Sequence, residues 1–200
     1  MKQLITLVFT FLFLSLSAQE LEQAKGLSIG DKAPLGQLQN ADGESIDLQE
    51  ALKEGPLILV FYRGQWCPYC NRHMAALSEI ADSLKGIGVQ LFAISPENPE
   101  YLKMMEEKSE SRFDLLYDSH YTTIEAFDLA FLPSKAKRLK YNSILGANLA
   151  EAHGDSRELL PVPATFLIDQ KGIIRWRHFD PDYRERSKPE ELLAEAQKLR

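Results

Sequence analysis

The sequence predicts an α/β fold, a β-sheet covered by helices on both faces. Two observations carry this. Apolar runs of strand length alternate with segments of helical period, and each is bounded by Gly, Pro, Asn or Asp. The chain of 200 residues suits one domain with a well-formed core, and its composition, 44% hydrophobic and 26% charged, is that of a globular protein. In order, residues 36–49 alternate loosely around Asn40-Ala41-Asp42-Gly43, a hairpin signal. Leu57–Tyr62 reads as a buried strand. From Pro68 the apolar positions Met74, Leu77, Ile80 and Leu84 recur at helical spacing until Gly86 or Gly88. Val89–Ile94 is a second buried strand, and residues 98–109 form an amphipathic helix with Pro99 in its first turn. Phe113–Tyr117 reads as a short strand, followed by a helix near 121–130. Residues 131–160 carry no clear period. Val162–Asp169 is a strand opened by a proline, Gln170-Lys171-Gly172 turns the chain into Ile173–His178, and a last helix spans about Pro189 to Leu199.

The N-terminus has a different character. Lys2 supplies a positive charge, Leu4 to Leu16 is almost wholly apolar, and Ser15-Leu16-Ser17-Ala18 brings small residues before the polar Gln19-Glu20. These are the three parts of a secretory leader, so residues 1–18 are expected to be a signal peptide and 19–200 one domain, periplasmic or secreted. The apolar run falls short of the ~20 residues that a membrane span needs, so no stable membrane insertion is expected after cleavage. The net charge of −6 argues against nucleic acid as a partner. The basic cluster Lys135, Lys137, Arg138 and Lys140 is too short to reverse that and reads as a solvated face.

Cys67 and Cys70, the only two cysteines, stand in Trp66-Cys67-Pro68-Tyr69-Cys70, between a predicted strand and a predicted helix. That is the layout of a redox-active dithiol. The unpaired N–H groups and dipole of the helix N-terminus favour a thiolate on the first sulfur, which is expected to be partly exposed. The second lies one turn on, within disulfide reach. A structural staple is a poor alternative, because a bridge across two intervening residues restricts the unfolded chain little. No metal is expected: Cys67, Cys70 and His73 lack a second Cys/His pair, and His120, His153 and His178 are scattered. Haem attachment needs a histidine where Asn71 stands.

Four segments stand in a telling order: Ile29-Gly30-Asp31-Lys32-Ala33-Pro34, Phe61-Tyr62-Arg63-Gly64 before the cysteine motif, Phe113-Asp114-Leu115-Leu116-Tyr117-Asp118, and Thr165-Phe166-Leu167-Ile168-Asp169 with Gly172-Ile173-Ile174-Arg175. Together they resemble the alkyl hydroperoxide reductase/thiol-specific antioxidant (AhpC/TSA, redoxin) family, the peroxiredoxin-like branch of the thioredoxin superfamily. The resemblance covers about residues 27–200 and implies a thioredoxin-like fold, a central mixed β-sheet flanked by helices with an N-terminal β-hairpin extension. Two family features are missing. Gly64 stands where peroxiredoxins carry a threonine three residues before the reactive cysteine, with Val60 at the proline's place, and Pro163 stands where they carry an arginine. Thioredoxins place a cis-proline at that last position, with neighbouring backbone that pairs with substrate, so a cis Val162–Pro163 bond is expected. The acid that many thioredoxins bury six residues before the first cysteine is replaced by Phe61.

The resemblance implies Cys67 as nucleophile and Cys70 as resolving thiol, with no cofactor and an external thiol reductant such as a thioredoxin-type protein. Trp66 is expected to cover the sulfurs, Arg63 to stabilise negative charge on Cys67, and Val162 and Pro163 to contact substrate. Arg72 and His73 read as exposed helix positions. Substrates are protein disulfides, or alternatively hydroperoxides. The missing hydroxyl and arginine favour disulfides, and the overall likeness favours peroxide.

Overall fold

The computed structural model describes residues 24–199, so the expected leader, residues 1–18, lies outside the described residues. The chain enters through an antiparallel hairpin, β1 (Gln37–Asn40) and β2 (Ser45–Asp47). Its turn is built by Asn40, whose Oδ1 accepts the N–H groups of Asp42 and Glu44 at 3.0 and 2.8 Å. Helix α1 (Leu48–Glu54) follows at once, capped by the Asp47 carboxylate. It has no counterpart among the predicted elements, because seven residues are too few to display a helical period.

Strand β3 (Leu57–Phe61) leads into α2 (Pro68–Gly86), then β4 (Gln90–Ser95), α3 (Pro99–Ser109) and β5 (Asp114–Tyr117). The helix expected near 121–130 is only α4 (Thr122–Ala126), because Asp128 turns to φ 55° and the chain becomes β6 (Ala130–Phe131). Residues 131–160 fold as α5 (Lys135–Leu145), α6 (Leu149–His153) and β7 (Leu160–Pro161), which pairs with β6. No residue of α5 is buried, which is why no apolar stripe marks it in the sequence. The chain ends in β8 (Ala164–Ile168), β9 (Ile174–Phe179) and α7 (Pro189–Gln197).

The main sheet has the order β2-β1-β5-β4-β3-β8-β9. Strands β3, β4 and β5 are parallel and the other pairings antiparallel, a mixed sheet as expected. All of β3 is buried, and its alternating side chains feed two cores. Ile58 and Val60 pack with Met74, Leu77, Leu102 and Leu192, under α2, α3 and α7. Leu57, Leu59 and Phe61 pack with Leu48, Ile124 and Phe127, under α1 and α4. In the second core Phe61, Phe127 and Phe166 form a triangle with ring centroids 4.9, 5.9 and 5.1 Å apart. Because β3 ends at the centre of the sheet, residues 62–67 and the start of α2 emerge at its middle, over the C-terminal edge of the parallel strands.

Removing the Phe127 ring leaves a void between Phe61 and Phe166 that neither can fill. Phe127→Ala is expected to lower unfolding stability by about 3–5 kcal/mol in chemical denaturation.

Candidate active site

Cys67 is the N-cap of α2 and Pro68 its first residue. The Cys67 carbonyl accepts the N–H groups of Cys70 and Asn71 at 2.9 and 3.1 Å, which starts the helix and fixes the sulfurs one turn apart. Both cysteines are free thiols. The expectation of a partly exposed Cys67 is corrected: it is 1% exposed and Cys70 0%. Nor does the Cys67 side chain make a capping hydrogen bond to the helix N-terminus.

Two guanidiniums set the charge of the pair. Arg186, from the segment between β9 and α7, places Nη2 3.7 Å from Cys70 Sγ. Arg63 acts on both sulfurs. Burial alone would push the Cys70 thiol up, but the hydrogen bond from Cys67 and the charges of Arg186 and Arg63 hold it down, at about 5. The same hydrogen bond, then burial and the Cys70 charge, push Cys67 up against the pull of Arg63. The two thiols thus share one proton, and the two guanidiniums favour a single negative charge on the pair.

Arg63 is 2% exposed, with its guanidinium carbon 4.6, 4.9 and 4.3 Å from the ring centroids of Trp66, Tyr141 and Tyr183. Trp66 and Tyr141 also stack on each other at 4.8 Å. The indole thus packs on Arg63 as part of this cage.

Glu97, two residues beyond β4, is a fully buried carboxyl. Its Oε2 accepts the Gln65 N–H at 2.7 Å, and Oε1 has no partner. Burial first, and then the charge of Cys70, push its pKa well above the ordinary range, against the Gln65 N–H and Lys108. The Tyr62 hydroxyl, buried and without a partner, is likewise pushed up by burial and by the Glu97 charge. Gly64 is required here: at φ 149° a Cβ would lie 2.5 Å from both Glu97 Oε1 and Trp66 Nε1. The position that carries a hydroxyl in peroxiredoxins has no room for one.

The segment from Asp180 to Ser187 lies across the pair. Ser187 is 2.9 Å from Thr165 Oγ1 through its own Oγ, and the His73 Nε2 is 3.1 Å from the Ser187 carbonyl and hydroxyl. His73 is thereby buried, contrary to the exposed position expected, and burial and Arg186 hold its pKa at about 3. Arg72 is exposed as expected and stacks on Tyr69 at 4.6 Å. The four residues expected near substrate are distributed as follows. Arg63, Val162 and Pro163 line one cavity of about 360 Å³, with Trp66 behind Arg63. Two details are corrected. No described peptide bond is cis, so Val162–Pro163 is trans. The Val162 N–H is already donated to the Leu129 carbonyl at 2.8 Å, and Pro163 directly precedes β8, where its missing N–H costs no ladder bond.

Sequence reasoning missed Glu97, Arg186, Tyr141 and Tyr183. Only Glu97 carries a local signal, since it follows the C-terminal end of a parallel strand, where open α/β sheets gather their ligands. The other three reach the site from remote segments.

Two measurements check these charges. Thiolate absorbance at 240 nm of the reduced protein is expected to titrate near pH 5 as a single thiolate. It should move to higher pH in Arg186→Gln. For Glu97, the raised folded pKa means that the buried acid is stable protonated and loses stability as pH rises above the ordinary glutamate range. Glu97→Gln should match the parent near pH 4 and exceed it increasingly toward neutrality, by about 1.4 kcal/mol per pH unit until the folded pKa is passed. Denaturant midpoints across that range read the difference.

The AhpC/TSA family model matches residues 29–177. Peroxiredoxin Bcp of Escherichia coli (strain K12) is 35% identical over 102 residues, 50% of this chain and 64% of that protein. Thiol-disulfide oxidoreductase ResA of Halalkalibacterium halodurans is 27% identical over 106 residues, 52% of this chain and 59% of that protein. The matches thus span somewhat under two thirds of these curated relatives, which by their names are oxidoreductases. The crystal structure of Peroxidoxin BcpB from Mycobacterium tuberculosis has the same fold, with a TM-score of 0.68 at 18% identity, covering 87% of this chain and 99% of that one. The thioredoxin-like sheet, the cysteine pair at its centre and the family match over most of the chain agree: this protein is a member of the AhpC/TSA family.

Proposed function

We propose that this chain is an exported oxidoreductase that exchanges thiols and disulfides through Cys67 and Cys70. The observation that carries the reading is the pair itself: two free thiols one turn apart at the start of α2, with the Arg186 guanidinium 3.7 Å from the Cys70 sulfur. With the shared proton on Cys70, Cys67 attacks a substrate disulfide as a thiolate. The Cys67–substrate S–S bond forms, the substrate S–S bond breaks, and one substrate thiolate leaves. Cys70, now a neutral thiol, gives its proton to the departing substrate thiolate and attacks Cys67. The Cys67–Cys70 disulfide forms and the second substrate thiolate leaves, two electrons having passed to the substrate. An external dithiol, of the kind a thioredoxin-type protein supplies, returns the electrons. The N-terminal charge, apolar run and small residues support export to the periplasm or beyond.

A second reading, reduction of hydroperoxides, is favoured by one observation. Cys67 is 1% exposed, which suits a small oxidant better than a protein disulfide. There the Cys67 thiolate would attack the peroxide oxygen to give a sulfenic acid and release water or an alcohol. Cys70 would then condense with it, releasing water. Against it stand Gly64 and Pro163, which replace the hydroxyl and the arginine of peroxiredoxins.

Cys70→Ser separates the two. Challenged with a protein disulfide, this variant is expected to accumulate a mixed disulfide on Cys67, seen by intact mass, that Cys67→Ser does not form. A variant that resists protein disulfides but gains one oxygen on Cys67 with hydrogen peroxide, far faster than a free thiol, would overturn the exchange reading in favour of peroxide.

A further inference from the structure

The cavity beside the dithiol carries charge that exchange chemistry alone does not require. Its apolar walls include Phe131, Tyr141, Val162 and Tyr183, and its cations are Arg63, Lys137 and Arg184. Arg184 is spoken for, since its Nε donates to both oxygens of Asp182, the one carboxylate in the lining, at 2.8 and 3.0 Å. Arg63 is different. Among the described residues its guanidinium makes no ion pair, and its Nε is buried without a partner. A desolvated cation of this kind needs compensating charge. The cysteine pair provides it while one sulfur is a thiolate, because Arg63 attracts charge to both. When the two thiols become a disulfide, two electrons and the shared proton leave and that charge is gone. Arg63 then faces the cavity with only its aromatic cage.

The rim points to what fills the cavity. Helix α5, which contributes Lys137 and Tyr141 to the wall, exposes Leu139 by 67% and Ile144 by 72%, and Leu132 just before it by 47%. Lys135, Lys137 and Lys140 are exposed on the same helix. At 100° per residue Ile144 shares the helix face of Lys137 and Tyr141 and Lys140 flanks it, so on a chain of net charge −6 the rim beside the cavity is locally basic and apolar. Exposed apolar side chains rimmed by one sign of charge favour a macromolecular partner of the opposite sign.

We propose that this cavity and its rim receive an acidic, apolar segment of the protein reductant, with a carboxylate side chain set against Arg63, and that the disulfide form binds it more tightly than the dithiol form. The proposal rests on the dithiol reading of Cys67 and Cys70. It gives the reductant a direction: capture while the disulfide is present, release once the thiolate restores the charge at Arg63. By linkage, bound segment also favours the disulfide, lowering its reduction potential by ~30 mV for each tenfold difference in affinity.

The test is calorimetric titration of the purified protein, as disulfide and as dithiol, with the peptides acetyl-Leu-Glu-Phe-amide and acetyl-Leu-Gln-Phe-amide, and with hexanoate. The Glu peptide is expected to bind the disulfide form on the order of tenfold tighter than the dithiol form. The Gln peptide should show no such preference, and hexanoate should bind more weakly than the Glu peptide. Lys137→Glu, an exposed change that leaves the core intact, should weaken the Glu peptide in both forms. Equal affinity of the two redox forms, equal affinity for the Glu and Gln peptides, or no binding overturns the proposal. Hexanoate binding as tightly as the peptide overturns the protein partner in favour of a small organic acid. Failure here remains distinct from failure of the exchange reading: mixed disulfides in Cys70→Ser without redox-dependent peptide binding sink the subsite alone, and the converse sinks the exchange alone.

Discussion

A cation buried without a carboxylate partner governs the arrangement around the sulfurs. Arg63 stands two residues beyond β3 and is 2% exposed, so its charge must be met by what surrounds it. Three aromatic rings meet part of that demand, each offering a π-face within 5 Å and together excluding water. Such contacts reach about 2 kcal/mol when desolvated, short of the cost of burying a charge. The remainder falls to the thiol pair, and the consequence is reciprocal: the sulfurs lower the cost of Arg63, and Arg63 with Arg186 lowers the cost of a thiolate in an interior where burial alone would raise it.

The rings come from separate parts of the chain. Trp66 belongs to the loop before α2, Tyr141 to α5, and Tyr183 to the segment after β9. The cage therefore exists only when the helical excursion after β6 and the crossing segment before α7 are both docked. The same segment delivers Arg186 to Cys70 and ties itself to α2 and β8 through His73, Ser187 and Thr165. Burial of the cysteines, their charge and the walls of the cavity are thus consequences of one docking event.

Gly64 and Glu97 explain how this site departs from others of its family. The chain passes so close to the Glu97 carboxyl that no side chain fits at position 64, and the hydroxyl of peroxiredoxins is excluded by the buried acid. That acid stands two residues beyond β4 rather than at the β3 position held here by Phe61, which packs into the opposite core against Phe127. Because β3 and β4 lie side by side, a carboxyl from either can approach the cysteine motif. The face of the sheet, set by the alternation of side chains along β3, decides that Phe61 cannot.

The main strands, the long helices α2 and α3, the terminal helix and the place of Cys67 and Cys70 could be read from the sequence, because each rests on local periods, turn residues or spacing. The short helices α1, α5 and α6 could not. The first is too brief to show a period, and α5 buries no side chain, so no pattern records its contacts. The proline opening β8 was legible as a strand boundary, whereas its trans bond and the engaged Val162 N–H depend on the neighbouring β6–β7 pair. By itself the sequence determined where the redox chemistry resides and what kind of sheet supports it. Only the tertiary structure decided which cations stabilise a thiolate, which acid lies near it and what closes over the pair. Those depend on Coulomb and desolvation effects among Arg63, Glu97, Tyr141, Tyr183 and Arg186, which lie far apart in sequence and meet only after the sheet has assembled.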